Sequence, residues 1–174
     1  MVRAEENLPG SEGEHTLQLH YKTREKAKEF YDREVYSYIT EQMKAFIAKQ
    51  KMMFIATSDK HGECDSSLRT AQTDFVLVLD EKRLVYPEFN GNGVMASLGN
   101  ISENPNIGLL FVDFFENQVG LHVNGKASIV DEADEQMEAF AKRLTQKSVT
   151  WVLVEVEEAY IHCSKNIPLL AEVE

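Results

Sequence analysis

The chain has little cysteine, little proline and no long apolar run. Its two cysteines, Cys64 and Cys163, lie far apart, and neither belongs to a CxxC or histidine-rich spacing. That sets aside a disulfide framework and a structural zinc site; both thiols are expected buried or half-buried. Four prolines and nine glycines in 174 residues exclude a collagen-like or low-complexity chain. No stretch approaches the roughly 20 apolar residues that span a bilayer, and the opening MVRAEENLPGSEGEHT has no apolar core of a signal peptide. The cytoplasm is therefore the expected compartment. Bases are in the minority: 18 Lys and Arg against 29 Asp and Glu give a formal charge of −11. That field repels phosphate backbones and anionic membranes, so neither nucleic acid nor membrane is expected as a partner. An anionic ligand needs a local cluster of donors to work against it.

What remains is globular in kind, 43% hydrophobic and 27% charged. A chain of this length buries about two thirds of its unfolded surface. Residues 1–22 are polar and without a lasting period, and read as an arm leading into a single domain over 23–174. From Thr23, Ala27, Phe30 and Tyr31, then Val35, Tyr38 and Ile39, follow helical spacing, with a break near 32–34. Thr40 reads as the N-cap of a second helix carrying Met43, Phe46 and Ile47.

After Lys51 the period shortens to two. Strands are expected over 52–58, 64–71, 75–79 and 83–86, joined by short turns and so antiparallel. Further strands are expected over 106–113, 119–130 and 149–163. In the second of these, Val119, Leu121, Val123, Ala127 and Ile129 alternate with His122, Asn124, Lys126 and Ser128, leaving one face wet or lining a site. The segment DEADEQMEAFAKRL, from Asp131, is acidic at its start and basic at its end, as a helix dipole favours; Met137, Phe140, Ala141 and Leu144 are its buried stripe. Six or seven antiparallel strands with peripheral helices make the fold mainly β, a small barrel.

Two stretches carry candidate chemistry. In EFNGNGVMASLGNISENP (88–105), Gly91 and Gly93 permit positive φ and close approach. Val94–Leu98 is expected to form one or two helical turns whose first amides lack partners; Asn92, Ser97 and Asn100 add neutral donors. This outlines an anion site, or equally a tight strand-to-helix connection with its own caps. On the strand from Cys64, Ser66, Ser67, Arg69 and Thr70 supply three hydroxyls and a guanidinium suited to phosphate. Alternation puts Ser67 and Arg69 on one face, with Ser66, Leu68 and Thr70 on the other. The same arginine also reads as a partner for one of the many acids.

The segments FIATSDKHGECDSSLR (54–69), YPEFNGNGVMASLGNISENPNIGLLFVDF (86–114), GLHVNGKA (120–127) and AYIHCSKNIP (159–168) together resemble the pyridoxamine 5′-phosphate oxidase-related, FMN-binding split-barrel family. The resemblance implies a six-stranded antiparallel split β-barrel that forms a homodimer with FMN at the subunit interface. It implies that Ser67 and Arg69, with Thr70, and Asn92, Gly93, Ser97 and Asn100 hold the FMN phosphate. Tyr86 and Pro87 match the strand end lying along the flavin ring, and Gln118, Gly120 and His122 the strand that reaches over from the other subunit. Lys165 is either a flavin or substrate contact or a solvated lysine.

Departures from the family pattern bear on activity. Gln72 stands near the place of a lysine that the true oxidase uses for its phosphorylated substrate, and the C-terminal IPLLAEVE has no arginine. Pyridoxamine phosphate oxidation is therefore not expected. The leading expectation is an FMN oxidoreductase moving hydride or electrons between a nicotinamide donor, NADH or NADPH, and a small-molecule substrate, the flavin carrying the chemistry. The rival is a non-catalytic flavin, haem or deazaflavin binder or sensor whose helical front, 23–50, meets a partner. His122 reads as a structural histidine or as a proton donor near the flavin. With no second ligand cluster beside His162 and Cys163, no metal site is expected. Phe89 and Trp151 read as packing residues.

Overall fold

The computed structural model describes residues 8–71, 75–131, 133–162 and 164–171. By internal contacts the chain divides into two compact units, Met1–Val35 and Tyr36–Glu174.

In the first unit the expected irregular arm contains a helix, α1 (Glu12–His20). Ser11 and Glu14 form a reciprocal capping box: the Ser11 hydroxyl accepts from the Glu14 amide at 3.2 Å, and the Glu14 carboxylate accepts from the Ser11 amide. α1 buries none of its residues, so it has no apolar stripe for periodicity to reveal. Helix α2 (Arg24–Glu34) stops where the sequence breaks, with Val35 extended. The Gln18 amide donates to the Tyr31 hydroxyl at 2.7 Å and ties the two helices together.

The second unit begins with Tyr36 bridged to Ala159. Thr40 caps α3 (Glu41–Ile47), accepting from the Met43 amide at 3.2 Å, while Met43 and Ile47 are buried. Seven strands follow: β1 (Met52–Ser58), β2 (Cys64–Thr70), β3 (Leu77–Val78), β4 (Arg83–Glu88), β5 (Asn106–Asp113), β6 (Val119–Val130) and β7 (Thr150–His162). All pair antiparallel in the order β2-β1-β5-β6-β7-β4-β3. Among the described residues no ladder joins β2 to β3, which is the open seam of a split barrel.

Residues opposite one another in a ladder share a face. The register therefore writes out the interior: Ser67, Ile55, Leu109, Val123 and Ala159 form one continuous row across β2, β1, β5, β6 and β7. All but Ser67 belong to the main buried cluster. A smaller cluster of Val85, Met137, Phe140 and Trp151 lies under α5 (Glu135–Ala141), so Trp151 packs as expected, its ring 6.3 Å from that of Phe140.

Several expectations are corrected. The 75–79 run is buried at Phe75 and Val76, but only Leu77 and Val78 pair. β4 runs two residues further than expected, through Pro87, at a point where β3 no longer lies alongside and an imino nitrogen is tolerated. α5 starts at Glu135, not Asp131: Asp134 caps it, accepting from the Met137 amide at 2.9 Å, while Asp131 accepts from the Thr150 hydroxyl at 3.0 Å. Lys142 and Arg143 consequently fall beyond its last turn. Ile129 is 38% exposed, past the end of the buried row. Cys64 is exposed because it belongs to the outward set of an edge strand; Cys163 and Gln72 lie outside the described residues. Gly125 sits where β6 and β7 slip register, and a Cβ there would overlap the Glu155 carbonyl.

Candidate functional site

Strand β2 lies at the edge of the order, and its residues Asp65, Ser67 and Arg69 point toward the barrel interior while Ser66, Leu68 and Thr70 point out. Facing them is the connection from β4 to α4 (Ala96–Glu103). Its conformation is set by three left-handed residues, Gly91 (φ 46°), Gly93 (φ 80°) and Met95 (φ 57°). The first two cost nothing as glycine; Met95 is strained. Gly99, by contrast, is inside α4 with open space around it. The helix begins two residues later than expected and runs to Glu103. Met95, its N-cap, offers no side-chain cap, so the first amides of α4 have no acceptor from that residue.

Between β2 and this connection lies a cleft of about 500 Å³. Ser67, Arg69, Thr70, Asn92 and Ser97 line it, so five of the expected phosphate contacts come together. Phe89 is half-buried on its wall. Gly93 shapes the loop without lining the cleft. Asn100 is turned away, its amide donating to the buried Thr57 hydroxyl at 3.1 Å. The Asn92 side-chain oxygen accepts from the Val94 amide at 3.0 Å and closes the loop.

Two carboxylates in the cleft were not anticipated. Glu88, 5% exposed, accepts from Arg69 Nε at 3.0 Å and Nη2 at 2.8 Å, while Arg69 Nη1 donates to the Ser67 hydroxyl at 2.6 Å. Asp65 accepts from the Ser97 hydroxyl at 3.3 Å. The signal for both was alternation: Asp65 is two residues before Ser67, and Glu88 two after Tyr86. The donors fit a phosphate, since a guanidinium has five N–H groups and the described partners do not exhaust them. The charges fit less well, with one guanidinium against two carboxylates.

Tyr86 and Pro87 are buried within β4. The Tyr86 hydroxyl has no hydrogen-bond partner among the described residues. Burial first, and the Glu88 carboxylate second, push its phenol above the ordinary range, with Arg69 working the other way.

The remaining expected contacts lie elsewhere. Gln118 donates to the Ile167 carbonyl, and Lys165 is exposed in a short 3-10 turn. His122 is on the outer face of β6, its Nε2 3.0 Å from Nδ1 of His162 and its ring stacked 4.6 Å from Tyr160. Burial, then the nearby His162, hold its pKa below the ordinary value. The His162 ring covers Gly120, where a Cβ would overlap it. Within one chain, His122 and Arg69 are on opposite faces, three ladders apart. Among the described residues no three His, Cys, Asp or Glu side chains cluster as a metal site, and no helix is long and apolar enough to cross a membrane.

A family model described as pyridoxamine 5′-phosphate oxidase matches residues 39–163. No curated protein matches significantly. Among solved structures, HupZ of Group A Streptococcus is 25% identical, aligned over 76% of this chain and 99% of its own, with a TM-score of 0.57. An FMN-binding protein from Syntrophomonas wolfei is 15% identical over 82% of this chain and 96% of its own, with a TM-score of 0.54, a likeness of fold.

Proposed function

Because this chain belongs to the pyridoxamine 5′-phosphate oxidase family, we propose that it binds FMN, with the phosphate end in the cleft between β2 and α4. The observation that carries this reading is the Arg69 guanidinium, fixed by Glu88 on one side and donating to Ser67 on the other. A buried carboxylate orients the fork, so little side-chain entropy is left to lose when it meets a phosphate. Ser67, Asn92 and the first amides of α4 are the neutral donors; Thr70 lines the cleft from the outward set of β2, and the Ser97 hydroxyl is turned to Asp65.

Bound flavin supplies hydride and electron transfer itself. The protein's share is to hold and shield it, with NADH or NADPH as the proposed donor and a small molecule as acceptor. Pyridoxamine phosphate is a poor candidate substrate, because the C-terminal segment offers only Lys165 as a base.

A homodimer is part of the same proposal. Leu68, Phe54, Leu110, His122 and Tyr160 form one cross-strand row on the outer face, and Leu68 is 50% exposed. We propose that row as the surface on which a second copy seats.

One observation favours a second reading, a haem binder. With Nδ1 of His162 facing His122, its Nε2 is the nitrogen left to ligate iron, and ligating histidines are commonly oriented through the other ring nitrogen. An absorption spectrum taken after incubation with excess FMN and desalting separates the two. Retained flavin bands support FMN. A Soret band on the protein as purified, lost in His162→Ala, supports haem and removes the FMN reading.

A further inference from the structure

We infer that Asp65 tunes the charge preference of the cleft, weakening its hold on a doubly charged phosphate monoester relative to neutral or singly charged ligands. The inference rests on the FMN reading of this cleft. Asp65 is in register with Thr57, on the same face of β2 as Ser67 and Arg69. Ser97, 3% exposed at the start of α4, donates its hydroxyl to Asp65 Oδ2 at 3.3 Å. A serine hydroxyl carries one hydrogen, so the proton that the anion-site pattern assigns to a phosphate is spent on a carboxylate. The Arg69 charge is already matched by Glu88 at 2.8 Å. Among the described residues Asp65 is therefore the charge in the cleft that no guanidinium answers, and it acts on each negative charge a ligand brings.

Replacing the carboxylate by an amide removes the opposing charge and introduces a donor in its place. Flavin fluorescence titrations of the full chain, at fixed ionic strength, compare FMN with riboflavin, which lacks the phosphate. For Asp65→Asn the affinity for FMN rises roughly tenfold, the size of effect one unit charge exerts across a water-lined cleft, while that for riboflavin stays within twofold. Asp65→Ser serves if the asparagine variant does not fold. An FMN-to-riboflavin preference that is the same in wild type and variant overturns the role of Asp65 while leaving FMN binding intact. If neither flavin binds either protein, the FMN reading fails, and this inference with it.

Discussion

Arg69 and Glu88 join strands that are five places apart in the hydrogen-bonded order β2-β1-β5-β6-β7-β4-β3, through Nε at 3.0 Å and Nη2 at 2.8 Å to one carboxylate oxygen. The pair thus spans the open seam of the barrel. Their side chains are only 17% and 7% exposed, so the contact closes the interior where backbone pairing stops, and it does so beside the cleft.

Removing one partner of such a pair leaves an uncompensated charge. Arg69→Ala is expected to cost about 3–5 kcal/mol of stability, whereas the double replacement Arg69→Met with Glu88→Leu comes close to wild type. Urea denaturation of the two variants measures this; equal losses in both contradict it.

Tyr86 supplies the converse case. Its hydroxyl is buried and unpartnered among the described residues, so Tyr86→Phe discards a polar group that gains nothing from burial. Stability is expected to stay level or rise by about 1 kcal/mol. A thermal melt showing a clear loss would reveal a partner for that hydroxyl.

The lowered pKa of His122 fixes the sign of a pH effect. The unfolded chain takes up this proton at about 6.5, the folded chain only at lower pH, so below 6.5 the unfolded state binds more protons. The contribution is present above pH 6.5 and is lost as pH falls through the folded value. His122→Gln is expected to flatten that part of the profile, and denaturation curves between pH 5 and 8 show whether it does.

Gly125→Ala is expected to destabilise severely, by more than an ordinary overpacking cost of about 1–3 kcal/mol. The added methyl meets the Glu155 backbone carbonyl, which cannot rotate away. Soluble expression with an unchanged melting temperature would show that the β6–β7 bulge can shift.

Legibility in the sequence followed burial. β1, β5 and β6 have the expected bounds because their alternation is imposed by a core on one side. α1 was missed since nothing on it is buried; only the S-x-x-E spacing of Ser11 and Glu14 marked it. In the cleft, the β2 alternation brought Ser67 and Arg69 to light, and the glycines announced the left-handed loop. Glu88 was hidden because its partner is 19 residues away on a strand that is no ladder neighbour. Asn100 has the right chemistry for a phosphate contact, yet the helix phase of α4 turns it to Thr57, which a donor count alone does not reveal.

The most direct test of the phosphate cradle is the affinity for FMN and for riboflavin of the Arg69→Met, Glu88→Leu double variant. It removes the fork without changing the net charge of the cleft. Loss of a charge-assisted contact of about 1.5–3 kcal/mol predicts FMN binding weaker by at least tenfold, with riboflavin unaffected. Equal FMN affinity in the double variant and the wild type would contradict the account.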